Sequence, residues 1–274
     1  MISSIKVYII RNCPSFLINL SVNIIKSLRF IKYKTLMIFF PGKMRLYCPC
    51  CGMKYKSFNA GTFSQLSERF DTRRYKNTRQ DVVCPYCRSF PRHRIFALWS
   101  NKHKDYLQNS DILYFAPEYS MTLWMKRNKI KYVSADLYSK ADLKLDIQAT
   151  GLPDESFDVI ICNHVLEHVD DFRMALNEMY RILRKGGSFI CSFPMDPNVE
   201  LLEEDSSVIT EDERILKYGQ NDHKRLFGMH ADRFLSETGF SVKRISGEKC
   251  SKRIMPIVGP ADYDINLLFR CIKR

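Results

Sequence analysis

Two things are missing from this chain: acidic residues near its start, and a long uncharged run. Ten lysines and arginines precede Glu68, the first acidic residue, so ten of the thirteen net positive charges lie before it. The longest uncharged run covers residues 12–25, fourteen residues, whereas a membrane-spanning helix needs ~20 apolar residues. Arg11 interrupts the apolar stretch, which argues against a signal peptide. We therefore expect no transmembrane helix, a cytoplasmic protein, and ten cysteines that serve as thiols or metal ligands.

The basic segment 1–45 is predicted to contain an amphipathic helix over residues 15–31. Its apolar residues recur at helical spacing: Leu17, Leu20, Ile24, Leu28 and Ile31. Two interpretations stay open. Residues 1–40 make a peripheral contact with an anionic membrane at the inner face, or the helix packs on the body of the protein.

Two C-x-x-C pairs, Cys48/Cys51 and Cys84/Cys87, indicate a small metal-binding module over residues 46–89. The pairs are thirty-two residues apart, and each contains a proline after its first cysteine. Tetrahedral zinc takes four thiolates, and a site closed in this way has no position for water. We therefore predict a structural Zn²⁺, with Cys50 as a spare. Unrelated thiols and a redox pair are the weaker alternatives.

Residues 90–274 alternate short apolar runs with amphipathic stretches, which is typical of a parallel α/β sheet. A helix is predicted over residues 90–107 and another over 170–184, which ends in Lys185-Gly186-Gly187. A third is predicted near 229–238. The last two strands have no helix between them, so the final strand should be antiparallel and lie beside its predecessor. The predicted strands cover residues 112–116, 131–135, 143–145, 157–163, 188–193, 240–245 and 266–272.

The motifs of this body resemble those of class I S-adenosylmethionine-dependent methyltransferases. They are Asp146-Ile147, then Leu152-Pro-Asp-Glu-Ser-Phe-Asp-Val-Ile161, then Asn163-His-Val-Leu-Glu-His168, then Arg181-Ile-Leu-Arg-Lys-Gly-Gly187. With the cysteine pairs upstream and Tyr218-Gly-Gln-Asn-Asp-His223 downstream, the chain resembles a bacterial subfamily that carries an N-terminal zinc-ribbon-like segment. The resemblance implies a Rossmann-like, seven-stranded methyltransferase sheet with an antiparallel last strand, preceded by the zinc-ribbon-like module and the amphipathic helix.

The resemblance also implies a cofactor site. Asp136, with Leu137 beside it, is expected to hold the ribose, and Asp146 the adenine amino group, with Ile147 against the ring. The turn after the first strand lacks the usual glycines and runs Phe115-Ala116-Pro-Glu118-Tyr-Ser120. Glycines there let the backbone approach the cofactor. Phe115, Ala116, Glu118 and Asn163 are expected to complete the site.

Three histidines are candidates for proton transfer. His164 and His168 frame an H-x-x-E-H sequence, which in isolation is typical of inverted zinc proteases. Its place directly after a strand favours a cofactor-side loop instead. His223 ends the long acidic insertion 196–228, which is interpreted as a lid or acceptor loop. His223 is the preferred base, and a solvated loop is the alternative.

Three functions therefore compete. The first is methyl transfer to an oxygen or nitrogen of a small or glycan-type acceptor. The second is RNA methylation with the zinc module as RNA-binding part. The acidic insertion makes nucleic acid the less favoured partner, because it would repel a phosphate backbone. The third is a non-catalytic binding protein with a degenerate cofactor site.

Overall fold

The computed structural model describes residues 15–39, 42, 44–59, 82–196, 198–247, 250–254 and 267–274. Its helices are α1 (Ser15–Phe39), α2 (Pro91–Lys102), α3 (Lys104–Gln108), α4 (Tyr119–Arg127), α5 (Phe172–Ile182), α6 (Glu211–Tyr218) and α7 (Asp232–Glu237). Its strands are β1 (Leu46–Cys48), β2 (Met53–Tyr55), β3 (Ile112–Phe115), β4 (Val133–Ala135), β5 (Phe157–Asn163), β6 (Leu183–Ser192), β7 (Met195–Asp196), β8 (Leu202–Glu204), β9 (Arg225–Gly228), β10 (Phe240–Ser246) and β11 (Leu267–Lys273).

The central sheet has six strands within the described residues, in the order β10-β11-β6-β5-β3-β4. The neighbouring strands β6, β5, β3 and β4 run parallel to one another. Strand β11 is antiparallel to both of its neighbours, β10 and β6. The antiparallel final strand and the Rossmann-like fold class are therefore confirmed. The predicted strand at 143–145 differs, because only Leu143 forms a bridge, to Ala135. Asp146 and Ile147 follow this bridge within a turn.

Alternation along the buried strands divides the core into two layers. In β3, Leu113 and Phe115 face one cluster, while Ile112 and Tyr114 face the other. Helices α5 and α7 cover the first face, and α2 and α4 cover the second. This period-two pattern on both faces is the reason the strands read as continuous apolar runs.

The β5–β6 pair is unusually close at Gly187. A Cβ at this position would lie 2.8 Å from the Arg184 carbonyl oxygen and 2.9 Å from that of Asp158. Only glycine allows this approach. The Lys185-Gly186-Gly187 run thus does more than end a helix: α5 stops at Ile182, and the glycines lie inside β6.

The insertion 196–228 folds as a small sheet in the order β7-β9-β8, with α6 between β8 and β9. Helix α6 begins with a capping box: Thr210 accepts from the backbone N–H of Glu213, whose side chain accepts from the N–H of Thr210. Arg225 of β9 is 1% exposed and pairs with Glu204 of β8. The insertion is therefore an ordered part of the body.

Helix α1 is longer than predicted, and one side of its segment 27–39 packs against the rest of the protein. Tyr33 meets Tyr55 of β2 edge to face at 4.9 Å, and Met37 also packs against the cysteine module. The opposite side carries exposed apolar residues, among them Leu28 (61%), Ile31 (59%) and Ile38 (70%). Among the helices that the structure describes, none combines the length and apolar composition needed to cross a membrane.

Candidate functional site

A cleft of about 520 Å³ opens at the carboxyl ends of the parallel strands. From β3 the chain continues to β4 on one side of it and then to β5 on its other side. The cleft lies at this reversal of strand order, the switch point at which α/β sheets bind ligands. The predicted residues that line it are Phe115, Ala116, Asp136, Leu137, Asp146, Ile147, His164 and His168. The insertion contributes Arg214, Asp222 and Lys224 at the far end.

Ala116 occupies the place of the missing glycine and adopts a left-handed backbone, with φ +46°. Its N–H donates to the carbonyl of Ala135 at 2.9 Å, which joins the turn to β4. The turn therefore keeps the glycine-type conformation although it carries a side chain, at a cost of roughly 1–2 kcal/mol. Such strained positions cluster at binding sites, because the surrounding structure must hold them.

Asp136 follows β4 and holds its own loop. Its Oδ1 accepts from the backbone N–H groups of Tyr138 at 2.8 Å and Ser139 at 2.6 Å. Its Oδ2 accepts no hydrogen bond from the described residues. One carboxylate oxygen thus fixes the loop, and the other remains available at the cleft.

The carboxylate of Asp146 accepts hydrogen bonds from both the backbone and the side chain of one residue. Its Oδ1 accepts from the backbone N–H of Gln148 at 2.9 Å and from the Gln148 side chain at 3.1 Å. The other end of Gln148 accepts from the N–H of Asp171, the N-cap of α5. The predicted adenine carboxylate is therefore also the cap of a turn that is tied to α5. Ile147 beside it is 4% exposed and offers an apolar wall.

Glu118 is held by two side chains of α2. Its Oε1 lies 2.8 Å from Arg92 and 2.6 Å from Nε2 of His93. His93 Nδ1 accepts from the N–H of Phe90, so a neutral imidazole with its proton on Nε2 satisfies both contacts. Burial raises the pKa of Glu118, but His93 and Arg92 outweigh it and hold that pKa well below its usual range.

Burial also lowers the pKa of His93, so we assign the positive charge of this pair to Arg92. The second oxygen of Glu118, Oε2, is buried and has no hydrogen-bond partner among the described residues. A buried carboxylate oxygen without a partner is costly. Glu118 is not among the residues that line the cleft, although Ala116, two residues before it, is.

His164 follows β5 with φ +54°, a second strained residue at the cleft. Its Nδ1 lies 3.2 Å from Oε1 of Glu167, and its Nε2 is buried without a partner among the described residues. The proton then belongs on Nδ1, beside the carboxylate, which leaves the lone pair on Nε2. Nδ1 and the carboxylate are close enough for charge attraction, although the pair does not have hydrogen-bond geometry.

His223 does not line the cleft. It is 3% exposed and packs edge to face against His168 at 4.8 Å, with its Nδ1 3.2 Å from the carbonyl oxygen of Tyr218. Burial lowers its pKa. Asn163 lies beneath the cleft and accepts from the Ser192 hydroxyl at 2.7 Å. These two residues thus support the cleft from behind, whereas His164 faces it.

Arg225 binds the backbone of the loop after β5. Its guanidinium donates to the carbonyl oxygens of Leu166, Val169 and Asp170 at 2.6–2.8 Å. The N–H of Lys224 also donates to the Glu167 carbonyl at 2.9 Å. The insertion is therefore fastened to the histidine loop.

The four cysteines of the C-x-x-C pairs come together. Cys48 Sγ lies 3.6 Å from Cys87 Sγ, and Cys51 Sγ lies 3.8 Å from Cys84 Sγ. Four sulfurs at ~2.3 Å from a tetrahedral zinc lie roughly 3.8 Å apart, so the donor set and spacing fit this ion. Cys50 points elsewhere: its thiol donates to the carbonyl of His93 at 3.3 Å.

Sequence reasoning missed several residues that shape the site. Arg92 and His93 hold Glu118 from a helix that carries no methyltransferase motif, and Arg225 acts from the insertion. Glu167 lies inside the quoted motif, but no role is assigned to it there. The sequence could have indicated a role for Glu167, because it lies between two histidines directly after a buried strand. Nothing in the sequence indicates the roles of Arg92 or Arg225.

Residues 120–191 match the model of a family described as Methyltransferase domain. The match covers about a quarter of the chain, and with the sheet order it shows that this part is similar to class I S-adenosylmethionine-dependent methyltransferases. The matched residues run from α4 to β6 and end before the insertion.

The chain is similar to a demethylmenaquinone methyltransferase of Listeria monocytogenes, with 32% identity over 75 residues, 27% of this chain and 32% of that protein. It is also similar to an uncharacterized methyltransferase of Bacillus subtilis, with 36% identity over 57 residues, 21% and 22% of the two chains. The chain thus spans less than a third of the length of these curated relatives. A methyltransferase structure from Archaeoglobus fulgidus has TM-score 0.46 and 14% identity, over 66% of this chain and 94% of that one.

Proposed function

We propose that the chain transfers a methyl group from S-adenosylmethionine to an oxygen or nitrogen of a small, polar acceptor. The observation that carries this is the cleft at the switch point, where Ala116 keeps the glycine-type turn and Asp136 leaves one carboxylate oxygen open. When bound, the cofactor supplies a methyl group on a positively charged sulfur.

Each end of the cofactor has a counterpart among the residues. Asp136 Oδ2 accepts from the ribose hydroxyls, for which a carboxylate is a suitable acceptor pair. Asp146 and Ile147 hold the adenine. The orphaned Oε2 of Glu118 accepts from the amino group of the methionine moiety. Glu118 thus replaces contacts that a glycine-rich turn makes with its backbone.

His164 is the proposed base. Nε2 of His164 would take the acceptor's proton, while the cofactor, held by Asp136, Asp146 and Ile147, would supply the methyl group. Glu167 stabilises the resulting imidazolium through Nδ1. Alignment of the acceptor with the methyl group supplies most of the acceleration. His168 and His223 support this loop, and His223, the base preferred from sequence, lies behind it.

The acceptor end of the cleft favours a hydroxyl-rich molecule. It is lined by His168, Asp170, Arg214, Asp222 and Lys224, which offer several hydrogen-bond donors and acceptors. A glycan-type acceptor fits this lining better than an apolar ring system does. Of these residues, Arg214, Asp222 and Lys224 lie beyond residue 191, where the family match ends.

The cysteine cluster is proposed to hold a structural Zn²⁺, as in bacterial methyltransferases with a zinc-ribbon-like segment. Its sulfurs are buried in the core that also contains Ile95 and Trp99 of α2. The metal therefore stabilises the helix that carries Arg92 and His93. Through those residues, it supports Glu118.

We also propose that α1 contacts an anionic membrane surface. Its exposed apolar stripe of Leu28, Ile31 and Ile38 lies opposite the packed Tyr33 side, and exposed Arg29, Lys32 and Lys34 flank the stripe. Apolar burial and charge attraction add in such a helix. The protein is then a cytoplasmic enzyme that binds the inner membrane face.

Isothermal calorimetry of the full-length chain with S-adenosylmethionine and S-adenosylhomocysteine tests the cofactor assignment. We expect saturable heat and a rise in melting temperature with both. If neither ligand at millimolar concentration gives heat or a thermal shift, the turn at Ala116 excludes the cofactor and the proposed activity fails.

A further inference from the structure

Glu167, His168 and His223 form a second cluster of metal-binding side chains, separate from the four cysteines. Their ligand atoms all lie within 4.8 Å of one another. We propose that this cluster binds a divalent transition-metal ion, Zn²⁺ by its donor set, at the acceptor end of the cleft. Two imidazoles and one carboxylate leave coordination positions open, as in catalytic zinc sites and unlike four thiolates.

The buried carboxylate of Glu167 lies near His164 and His168 but has no hydrogen bond from the described residues. Glu167 is 1% exposed, and within the described residues neither of its oxygens accepts a hydrogen bond. His164 Nδ1 lies 3.2 Å from Oε1, but the pair does not have hydrogen-bond geometry. One carboxylate has lone pairs for both a metal ion and a histidine. Buried carboxylates are paired or coordinate metals.

Both histidines are oriented as metal ligands are. A ligating histidine usually gives its other ring N–H to a carbonyl or carboxylate. His223 Nδ1 faces the carbonyl oxygen of Tyr218 at 3.2 Å, and His168 Nδ1 faces the carbonyl and carboxylate oxygens of Asp222, each at 3.3 Å. In both rings Nε2 is therefore the nitrogen left for an ion.

The distances suit coordination better than direct hydrogen bonding. His168 Nε2 lies 3.9 Å from Oε1 of Glu167, too far for a hydrogen bond. Two ligand atoms at ~2.0–2.1 Å from one zinc ion lie roughly 3–4 Å apart. The cluster spans up to 4.8 Å, so its most distant ligand atoms must approach by roughly 1 Å for all three to bind one ion.

The backbone keeps these ligands together. The N–H of Lys224, next to His223, donates to the carbonyl of Glu167, and Arg225 holds the carbonyls on either side of His168. Preorganised ligands reduce the ordering cost of binding. The His164-to-His168 motif is thus not used as in a zinc protease, because the second histidine ligand comes from the insertion.

The ion would face the cleft through His168, which lines it. Its open positions would then meet an acceptor oxygen and favour that oxygen's deprotonated form. This role rests on the proposed methyl transfer. The metal site itself does not.

Zinc content of the full-length chain, measured after removal of metal and reconstitution with Zn²⁺, tests the site. We expect about two zinc ions per chain for the wild type and about one for Glu167→Gln and His168→Asn. The affinity for the second ion should fall by at least ~10–100-fold, the range for disturbing even an outer partner. His230→Asn, at an exposed histidine beyond β9, is the matched control and should keep both ions.

Cobalt separates the two sites and checks folding. Thiolate-bound Co²⁺ gives charge-transfer absorption that Co²⁺ bound by imidazole and carboxylate lacks. The Glu167 and His168 variants should keep the thiolate signal, which shows that they are folded. The proposal is overturned if the wild type takes up only thiolate-bound metal, or if the second ion survives both substitutions. Neither outcome depends on binding of S-adenosylmethionine, so it leaves the methyl-transfer proposal standing.

Discussion

Ala116 and His164 lie after neighbouring strands, β3 and β5, and both have left-handed backbone conformations, with φ +46° and +54°. Both line the same cleft. A residue other than glycine adopts this conformation at a cost in free energy. Such strained residues are found mainly at functional sites, where the surrounding structure holds them in place. At Ala116 this conformation shapes the turn at the cleft, and at His164 it places the ring there.

Ala116→Gly should therefore stabilise the protein. Glycine adopts this φ without strain, so we expect the free energy of unfolding to rise by about 1 kcal/mol, measured by urea denaturation. Ala149→Gly is the control, because Ala149 is exposed and its φ is not positive. It should be destabilising by up to ~1 kcal/mol. Equal effects of the two substitutions would show that Ala116 is not strained.

Asp136→Asn isolates the ribose contact. Asparagine keeps an oxygen for the N–H groups of Tyr138 and Ser139, so the loop should remain intact while the free carboxylate oxygen is lost. We expect S-adenosylhomocysteine affinity to fall roughly five- to hundredfold in calorimetry, equivalent to ~1–3 kcal/mol. Asp105→Asn, on the exposed side of α3, should bind as the wild type does. Unchanged affinity in Asp136→Asn would remove the ribose assignment.

The positions of these aspartates could be predicted because they depend on local sequence. A strand followed by an acidic residue places that residue at the carboxyl end of the sheet, and Asp136 and Asp146 are both there. The antiparallel place of β11 was predicted because the sequence shows no helical pattern between the last two strands. The length of the strand predicted at 143–145 was overestimated. Alternation of apolar and polar residues does not show how many residues form backbone pairs at the edge of a sheet.

Contacts between distant segments could not be predicted in this way. Glu118 is bound by Arg92 and His93, and His168 meets His223, through pairings that no local period encodes. His223 was preferred as the base because it belongs to a polar cluster that was expected to form the acceptor pocket. Arg225 and Lys224 instead draw that segment against the β5 loop, so His223 becomes buried.

Cys84→Ser should remove the thiolate-bound zinc. With three thiolates the tetrahedral site is incomplete, and because the metal supplies folding energy, melting temperature should fall with it. Cys250→Ser is the matched control, since Cys250 is half-buried and lies outside the cluster. It should keep zinc and stability. Full zinc occupancy in Cys84→Ser would show that the cysteines are ordinary thiols.

Glu178→Gln should lower stability in a pH-dependent way. Glu178 accepts from Arg181 and from the N–H and hydroxyl of Thr150, which ties the Asp146 loop to α5. The hydrogen bond from Arg181 is the main cause that lowers its pKa from 4.5 to about 2. A lowered folded-state pKa means that the stabilisation is complete above pH 4.5 and is lost as pH falls toward 2.

We therefore expect Glu178→Gln to reduce the free energy of unfolding by about 1–3 kcal/mol at pH 7. The difference from the wild type should shrink steadily between pH 4.5 and the lowest pH at which both still fold. Denaturation curves at several pH values measure it. Glu237→Gln, which breaks only an exposed pair with Arg233, should change stability by less than ~0.5 kcal/mol throughout. A pH-independent difference for Glu178→Gln would contradict the assignment.

Ile31→Glu should weaken binding to anionic vesicles. Ile31 is 59% exposed at the centre of the apolar stripe of α1, opposite Tyr33, so the substitution puts a charge where the lipid boundary would be without disturbing the packed side. Ile209→Glu makes the same change at a 71% exposed isoleucine of the insertion and should leave binding unchanged. Co-sedimentation with phosphatidylserine-containing vesicles measures both. Because basic residues flank the stripe, added salt should also weaken binding of the wild type. If Ile31→Glu and Ile209→Glu bind equally, α1 serves only to pack against the cysteine module.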